Sequence, residues 1–284
     1  MKLLYLDTVT AKGSCDHLDQ SKKSESYLSG LLYAVLAVAL VSVLSLVGIF
    51  AISLREKTLD RILFVLLSFS AGTILATAYL DLLPEAVELF GEGQLGTTVT
   101  YITLGFLAFF FLERFIYWYH GHMHGYESKV EEKMTVKRFV YLNVLGDAIH
   151  NLVDGMIITA AFLIAIPAGV TTTLAVIFHE LPQEIGDFGV LVYGGFRRYR
   201  ALAANFLTAL TAFGGVMISY YFSAQIQNFA AYLIAFGAGG FIYLAASELI
   251  PEIQEERNIG KSISQFVLFI LGLALIWALV TLLP

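Results

Sequence analysis

The 284-residue chain is 58% hydrophobic and only 14% charged. Soluble domains carry about 25% charged residues, so this composition excludes a soluble globular protein. The net charge of −6, with few and scattered basic residues, gives no footing for nucleic-acid binding, and the single cysteine, Cys15, excludes an intramolecular disulfide and a cysteine-rich metal site.

Residues 1–27 are polar and mixed in charge and read as an N-terminal tail outside the cytoplasm; Leu3–Leu6 is too short an apolar run for a signal peptide. Residues 28–284 read as one membrane unit. Eight apolar spans are predicted near 28–53, 59–83, 97–119, 138–166, 169–194, 200–223, 228–250 and 262–283, each close to the roughly 20 residues a bilayer core requires. Lipid leaves their backbones no way to be satisfied other than as helices, and no barrel pattern is present. The expected fold is therefore an all-α polytopic membrane protein.

Basic residues set the orientation. Arg55, Lys57 and Arg61 follow span 1, and Lys129, Lys133, Lys137 and Arg138 follow span 3. Arg197, Arg198 and Arg200 follow span 5, and Arg257 and Lys261 follow span 7. The alternate loops carry no Lys or Arg. The odd loops, including the one at about 120–137, are thus placed in the cytoplasm, with both termini outside.

Spans 2 and 7 repeat one another. Phe69-Ser70-Ala71-Gly72 and Asp81-Leu82-Leu83-Pro84-Glu85 match Phe236-Gly237-Ala238-Gly239 and Glu248-Leu249-Ile250-Pro251-Glu252 at a constant offset of 167 residues. The two spans cross the membrane in opposite senses. Matching sequence in opposite orientation marks an inverted repeat, here spans 1–3 and 6–8 around spans 4 and 5, as alternating-access transporters use. The small-residue run Ala235–Gly240 allows close helix packing, either inside the bundle or at a dimer surface.

Spans 4 and 5 carry ionisable groups that bilayer depth makes expensive unless they work. Asp147, His150, Asn151 and Asp154 share one face of span 4. Glu180, Gln183, Glu184 and Asp187 share one face of span 5, with His179 beside Gln183. Two imidazoles with carboxylates and amides suit a divalent first-row metal, and the lack of sulfur disfavours copper(I). Asp147 and Asp187, a turn beyond the cluster, serve either the metal path or polar contacts between helices. Pro182 has no N–H and so frees the carbonyl of Phe178. His179-Glu180 also begins a string like that of zinc proteases, but Gln183 stands where the second imidazole belongs.

The order and spacing of His150-Asn151-x-x-Asp154-Gly155 and His179-Glu180-x-Pro182-Gln183-Glu184-x-Gly186-Asp187 resemble the paired motifs of the ZIP family of divalent metal transporters, closest to the branch reading HExPHExGD. The resemblance covers essentially the whole chain. It implies a homodimer in the plasma membrane that carries zinc-type ions into the cytosol, with a two-metal centre between helices 4 and 5 and an elevator-like movement. By position, His150, Asp154, His179 and Gln183 would form one site. Asn151, Asp154 and Glu180 would form its neighbour, and Glu184 matches the second motif's glutamate. Gln183 departs from the branch's His, and a neutral amide is a weaker ligand. That departure points to looser binding or a harder metal such as Mn²⁺ or Fe²⁺ at the first site.

Asp81 and Glu248, with Glu252 beyond it, read either as outer and inner way-stations for the cation or as helix-end carboxylates in water. His120, His122 and His124 read either as a weak cytoplasmic metal trap or as a solvated loop. The expected protein is thus a transporter and not an enzyme. Its cargo is Zn²⁺, with Fe²⁺, Mn²⁺ and Cd²⁺ as alternatives, and the metal is substrate, not catalytic cofactor. The rival readings are an intramembrane zinc protease and a metal-selective channel.

Overall fold

The computed structural model describes residues 27–48, 56–91, 93–121 and 139–282. They form eight long helices: α1 (Tyr27–Val47), α2 (Lys57–Phe90), α3 (Leu95–Gly121), α4 (Phe139–Ile164), α5 (Ile166–Tyr193), α6 (Arg198–Gln225), α7 (Phe229–Gln254) and α8 (Ile259–Leu282). There is no strand among the described residues. Seven of these helices are long and apolar enough to cross a membrane. The exception is α5: at 28 residues it has the length, but Glu180, Glu184 and Asp187 dilute its apolar character. The polar tail and most of the loop between α3 and α4 fall outside the described residues.

Three boundaries differ from the sequence reading. Span 5 was expected to follow an uncharged loop at 167–170, yet Ala165 alone, in extended conformation, separates α4 from α5. Pro167 sits in the first turn of α5, where its missing N–H has no helical partner to lose. Helices α2 and α7 also run past the expected ends. Pro84 and Pro251 do not stop them, because each proline follows a π-helical turn, Thr77–Leu82 and Leu244–Leu249. In the first, Leu83 N–H bonds the carbonyl of Ala78; in the second, Ile250 N–H bonds that of Ala245. The wider turn moves the carbonyl that a proline ring would otherwise strike.

These two turns are counterparts at the 167-residue offset, and the packing obeys the same relation. A Cβ on Gly72 would come within 2.0 Å of the Phe269 carbonyl, and one on Gly272 within 2.3 Å of the Phe69 carbonyl. In the other half, a Cβ on Gly239 would meet the Ile102 carbonyl, and one on Gly105 the Phe236 carbonyl, each at 1.9 Å. Every residue of the first contact maps onto one of the second, so α2 packs on α8 as α7 packs on α3. Ser42 Oγ on α1 donates to the carbonyl of Ala209 on α6 at 3.0 Å, and the two residues are 167 apart. A residue that touches its own counterpart lies at the axis relating two halves. The repeat thus extends to all three helix pairs around α4 and α5.

The outer helices α3 and α8 have only 17% of their apolar stretches buried, against 61% for α4 and α7. Phe111, Leu104, Phe266 and Leu271 face outward, as lipid allows. The Ala235–Gly240 run faces inward: Gly237 lies against Ile157 on α4, and Gly240 against Phe109 on α3. It serves the inner bundle.

Candidate metal-transport site

Helices α4 and α5 are antiparallel neighbours, which brings the His150 turn against the His179 turn. His150, Asp154, His179 and Glu180 are all buried, and one ligand atom from each falls within 4.8 Å of the others. The Nε2 atoms of the two imidazoles lie 3.3 Å apart. Asp154 Oδ2 is 3.1 Å from His179 Nε2 and 3.8 Å from His150 Nε2, and Glu180 Oε1 is 3.5 Å from each imidazole. Four ligands around Zn²⁺ at about 2.0–2.1 Å form a tetrahedron with edges of about 3.3–3.4 Å. The five distances above, 3.1 to 3.8 Å, bracket that figure.

The surroundings orient these ligands. His179 Nδ1 lies 3.1 Å from the Ala175 carbonyl. A carbonyl only accepts, so Nδ1 carries the proton and Nε2 keeps its lone pair for a cation. The rings of Phe109 and His150, and those of Phe241 and His179, meet edge to face, at centroid distances of 5.9 Å each. With neutral imidazoles the set carries two negative charges, which a divalent cation cancels.

A cavity of about 470 Å³ begins at His150 and His179. It runs past Asp147, Gln183 and Gly186 to Asn143, Asp187, Glu113 and Glu252. Gln183, expected beside His179, lies on this cavity wall. Asp187 accepts from Asn143 Nδ2 at 2.8 Å, and Asp147 accepts from Asn151 Nδ2 at 2.8 Å and from Thr208 Oγ1 at 2.5 Å. Both Asp147 and Asp187 therefore line the cavity and hold neighbouring helices. Asn151 turns its amide N–H toward Asp147. Glu184 is buried, and among the described residues neither of its carboxylate oxygens has a hydrogen-bond partner. On the far side of His179 the bundle is packed shut by Ala78, Leu82, Ile157, Ala175 and Val176, each fully buried.

Asp81 sits beyond that plug, on the π-helical turn of α2, and accepts a hydrogen bond from Thr171 on α5. Glu252 is exposed at the cavity mouth. Glu248 lies on the equivalent turn of α7, but its side chain is outside the described residues, as are the side chain of His120 and all of His122 and His124.

Three contributors escaped the sequence reading. Glu113, on α3, lines the cavity and accepts a hydrogen bond from Tyr243 Oη on α7. It sits at the end of an apolar run, so the same test that flagged span 4 applies to it. Thr208 holds Asp147, and Asn205 Nδ2 donates to the Glu184 carbonyl at 3.0 Å. Both are on α6, three residues apart on one face.

The family model for the ZIP zinc transporter matches residues 28–138 and 119–280. The chain belongs to the ZIP zinc transporter family. Among its curated relatives in that family is zinc transporter zipt-7.1 of Caenorhabditis briggsae, 29% identical, covering 84% of this chain and 76% of the relative. Zinc transporter ZIP13 of Pongo abelii is 33% identical over 73% of this chain and 64% of its own length, so this ZIP chain spans somewhat under two thirds of that relative. Zinc transporter YKE4 of Saccharomyces cerevisiae is 28% identical, covering 86% of this chain and 77% of its own. A ZIP chain is an integral membrane transporter of metal ions, and its metal is cargo. The intramembrane protease reading is not favoured by any of these likenesses.

Proposed function

We propose that this chain carries Zn²⁺ into the cytosol by alternating access, and that His150, Asp154, His179 and Glu180 hold the ion midway. The near-tetrahedral grouping of two imidazole nitrogens and two carboxylate oxygens carries the reading. Its edges fit zinc, and its N₂O₂ set suits Zn²⁺ better than oxygen-loving Mn²⁺. Glu180 supplies the fourth corner, so the neutral Gln183 acts one step further along the cavity and does not weaken the central site. The likeness to proteins named zinc transporters supports the same cargo.

Read with the charge rule, the cavity opens toward the basic loops, and the conformation faces the cytosol. Asp147, Asp187, Glu113 and Glu252 on its wall draw the released cation outward from the site. Asp81 and Thr171 lie on the closed outer side, where Asp81 would first meet an arriving cation. Glu184 lies one helical turn from Glu180 and Asn151 next to His150, so they are the groups that would complete a neighbouring second site with Asp154 and Glu180. We place the protein in the plasma membrane with both termini outside, as a homodimer; the charge rule supports the placement of the termini, and the family resemblance supports the membrane and the dimer.

The test is zinc uptake by proteoliposomes loaded with a fluorescent chelator. Saturable uptake that the His150→Ala variant loses supports a carrier acting through this site. Uptake that rises linearly with zinc indicates a channel, and unchanged saturable uptake in the variant overturns the site.

A further inference from the structure

We infer that Ser70, on α2, is a positioning residue for the zinc ligands of α5: its hydroxyl satisfies the carbonyl that Pro182 strands one residue before His179. The inference rests on the proposed ligand role of His179 and Glu180.

In an uninterrupted helix the N–H of residue 182 would bond to the Phe178 carbonyl. Pro182 lies inside α5 and has no N–H to give. A buried carbonyl without a donor is costly. Here Ser70 Oγ donates to the Phe178 carbonyl at 2.5 Å, from a different helix and 108 residues away in sequence. Ser70 is fully buried, so water is no substitute. The neighbouring Ser68 shows the usual habit, bonding within its own helix to the Phe64 carbonyl at 2.8 Å. Ser70 reaches across instead.

The two residues are held to this contact from both sides. Thr73 Oγ1 donates to the Ser70 carbonyl at 2.9 Å. The Phe69 and Phe178 rings meet edge to face at 4.8 Å between centroids. Phe178 immediately precedes His179 and Glu180, so fixing its carbonyl fixes the turn that presents both ligands.

The repeat supplies an internal control. The counterpart of Ser70 at the 167-residue offset is Gly237, which faces Ile157 on α4. Helix α4 contains no proline, so it has no stranded carbonyl for α7 to meet. The half of the molecule that faces a proline carries the hydroxyl; the half that does not carries a glycine.

The experiment compares Ser70→Thr with Ser70→Val, which share one shape and differ by the hydroxyl, each alone and with Pro182→Ala. Zinc affinity of the purified protein and the KM and maximum rate of uptake are read for all. We expect Ser70→Thr to bind zinc within about twofold of the unaltered chain and Ser70→Val to bind about tenfold more weakly. The loss should appear in KM more than in the maximum rate. In the Pro182→Ala background, where the helix supplies its own N–H, the gap between Thr and Val should close. A Val variant that folds only with Pro182→Ala supports the inference equally. Equal affinity of the two single variants, a gap that persists with Pro182→Ala, or misfolding of Val in both backgrounds overturns it. His179→Ala separates the two claims. Unchanged zinc affinity there overturns the zinc site itself, whereas lost affinity there with equal Thr and Val variants overturns only the role of Ser70.

Discussion

His150 Nε2 and His179 Nε2 face each other at 3.3 Å across the α4–α5 contact, with Asp154 Oδ2 3.1 Å from the latter. Two imidazoles on different helices meet tip to tip where each can aim a lone pair at one point. His179→Ala and His150→Ala should each lower uptake efficiency by about a hundredfold or more, since even outer-shell partners of metal ligands are worth 10–100-fold. Initial-rate uptake in proteoliposomes checks this; a loss below about fivefold in either variant contradicts it.

Glu180 and Gln183 compete for the role of fourth ligand. Glu180 Oε1 is 3.5 Å from both imidazoles, whereas Gln183 lines the cavity beside them. Glu180→Gln should cost zinc affinity about a hundredfold, and Gln183→Ala less than about tenfold. Calorimetric titration of the two variants decides the ranking, and the reverse order would return the fourth place to Gln183.

Much of this site was legible in the sequence, because a carboxylate or imidazole within an apolar helix announces itself. The repeat was legible too, since Gly72 and Gly239 stand at fixed distances from Pro84 and Pro251. What was not legible came from weaker signals. Ser70, Thr208 and Asn205 are small polar residues that a membrane helix tolerates by bonding its own carbonyls, so nothing marks those that reach across. Glu113 is followed at once by Arg114 near the end of an apolar run, and nothing in that pattern separates it from an ordinary helix-end carboxylate; its place on the cavity and its bond from Tyr243 come only from the fold. The continuation of α2 and α7 past their prolines depended on π-helical turns, which no residue pattern in the sequence gives away.

The cavity predicts one-sided access. Gly186 lies on its wall, exposed, with open space where a Cβ would stand. In a Cys15→Ser background, Gly186→Cys should react with a membrane-impermeant thiol reagent from the cytosolic side, while Leu82→Cys in the plug stays protected. Labelling of Gly186→Cys from outside would reverse the orientation.

The repeat predicts paired stability losses. Alanine at Gly72 or at Gly239 forces a Cβ onto a carbonyl at 2.0 or 1.9 Å, and overpacking of this kind costs about 1–3 kcal/mol. Both variants should melt several degrees lower in detergent, by similar amounts, with Gly186→Ala unaffected. A loss confined to one of the two glycines would show that the halves do not share this packing.

The grouping of His150, Asp154, His179 and Glu180 makes its most direct prediction for the bound ion itself. X-ray absorption at the zinc edge, on purified protein loaded with one equivalent of Zn²⁺, should show four nitrogen and oxygen neighbours at about 2.0–2.1 Å, two of them imidazoles. Six oxygen neighbours with no imidazole scattering would contradict the account.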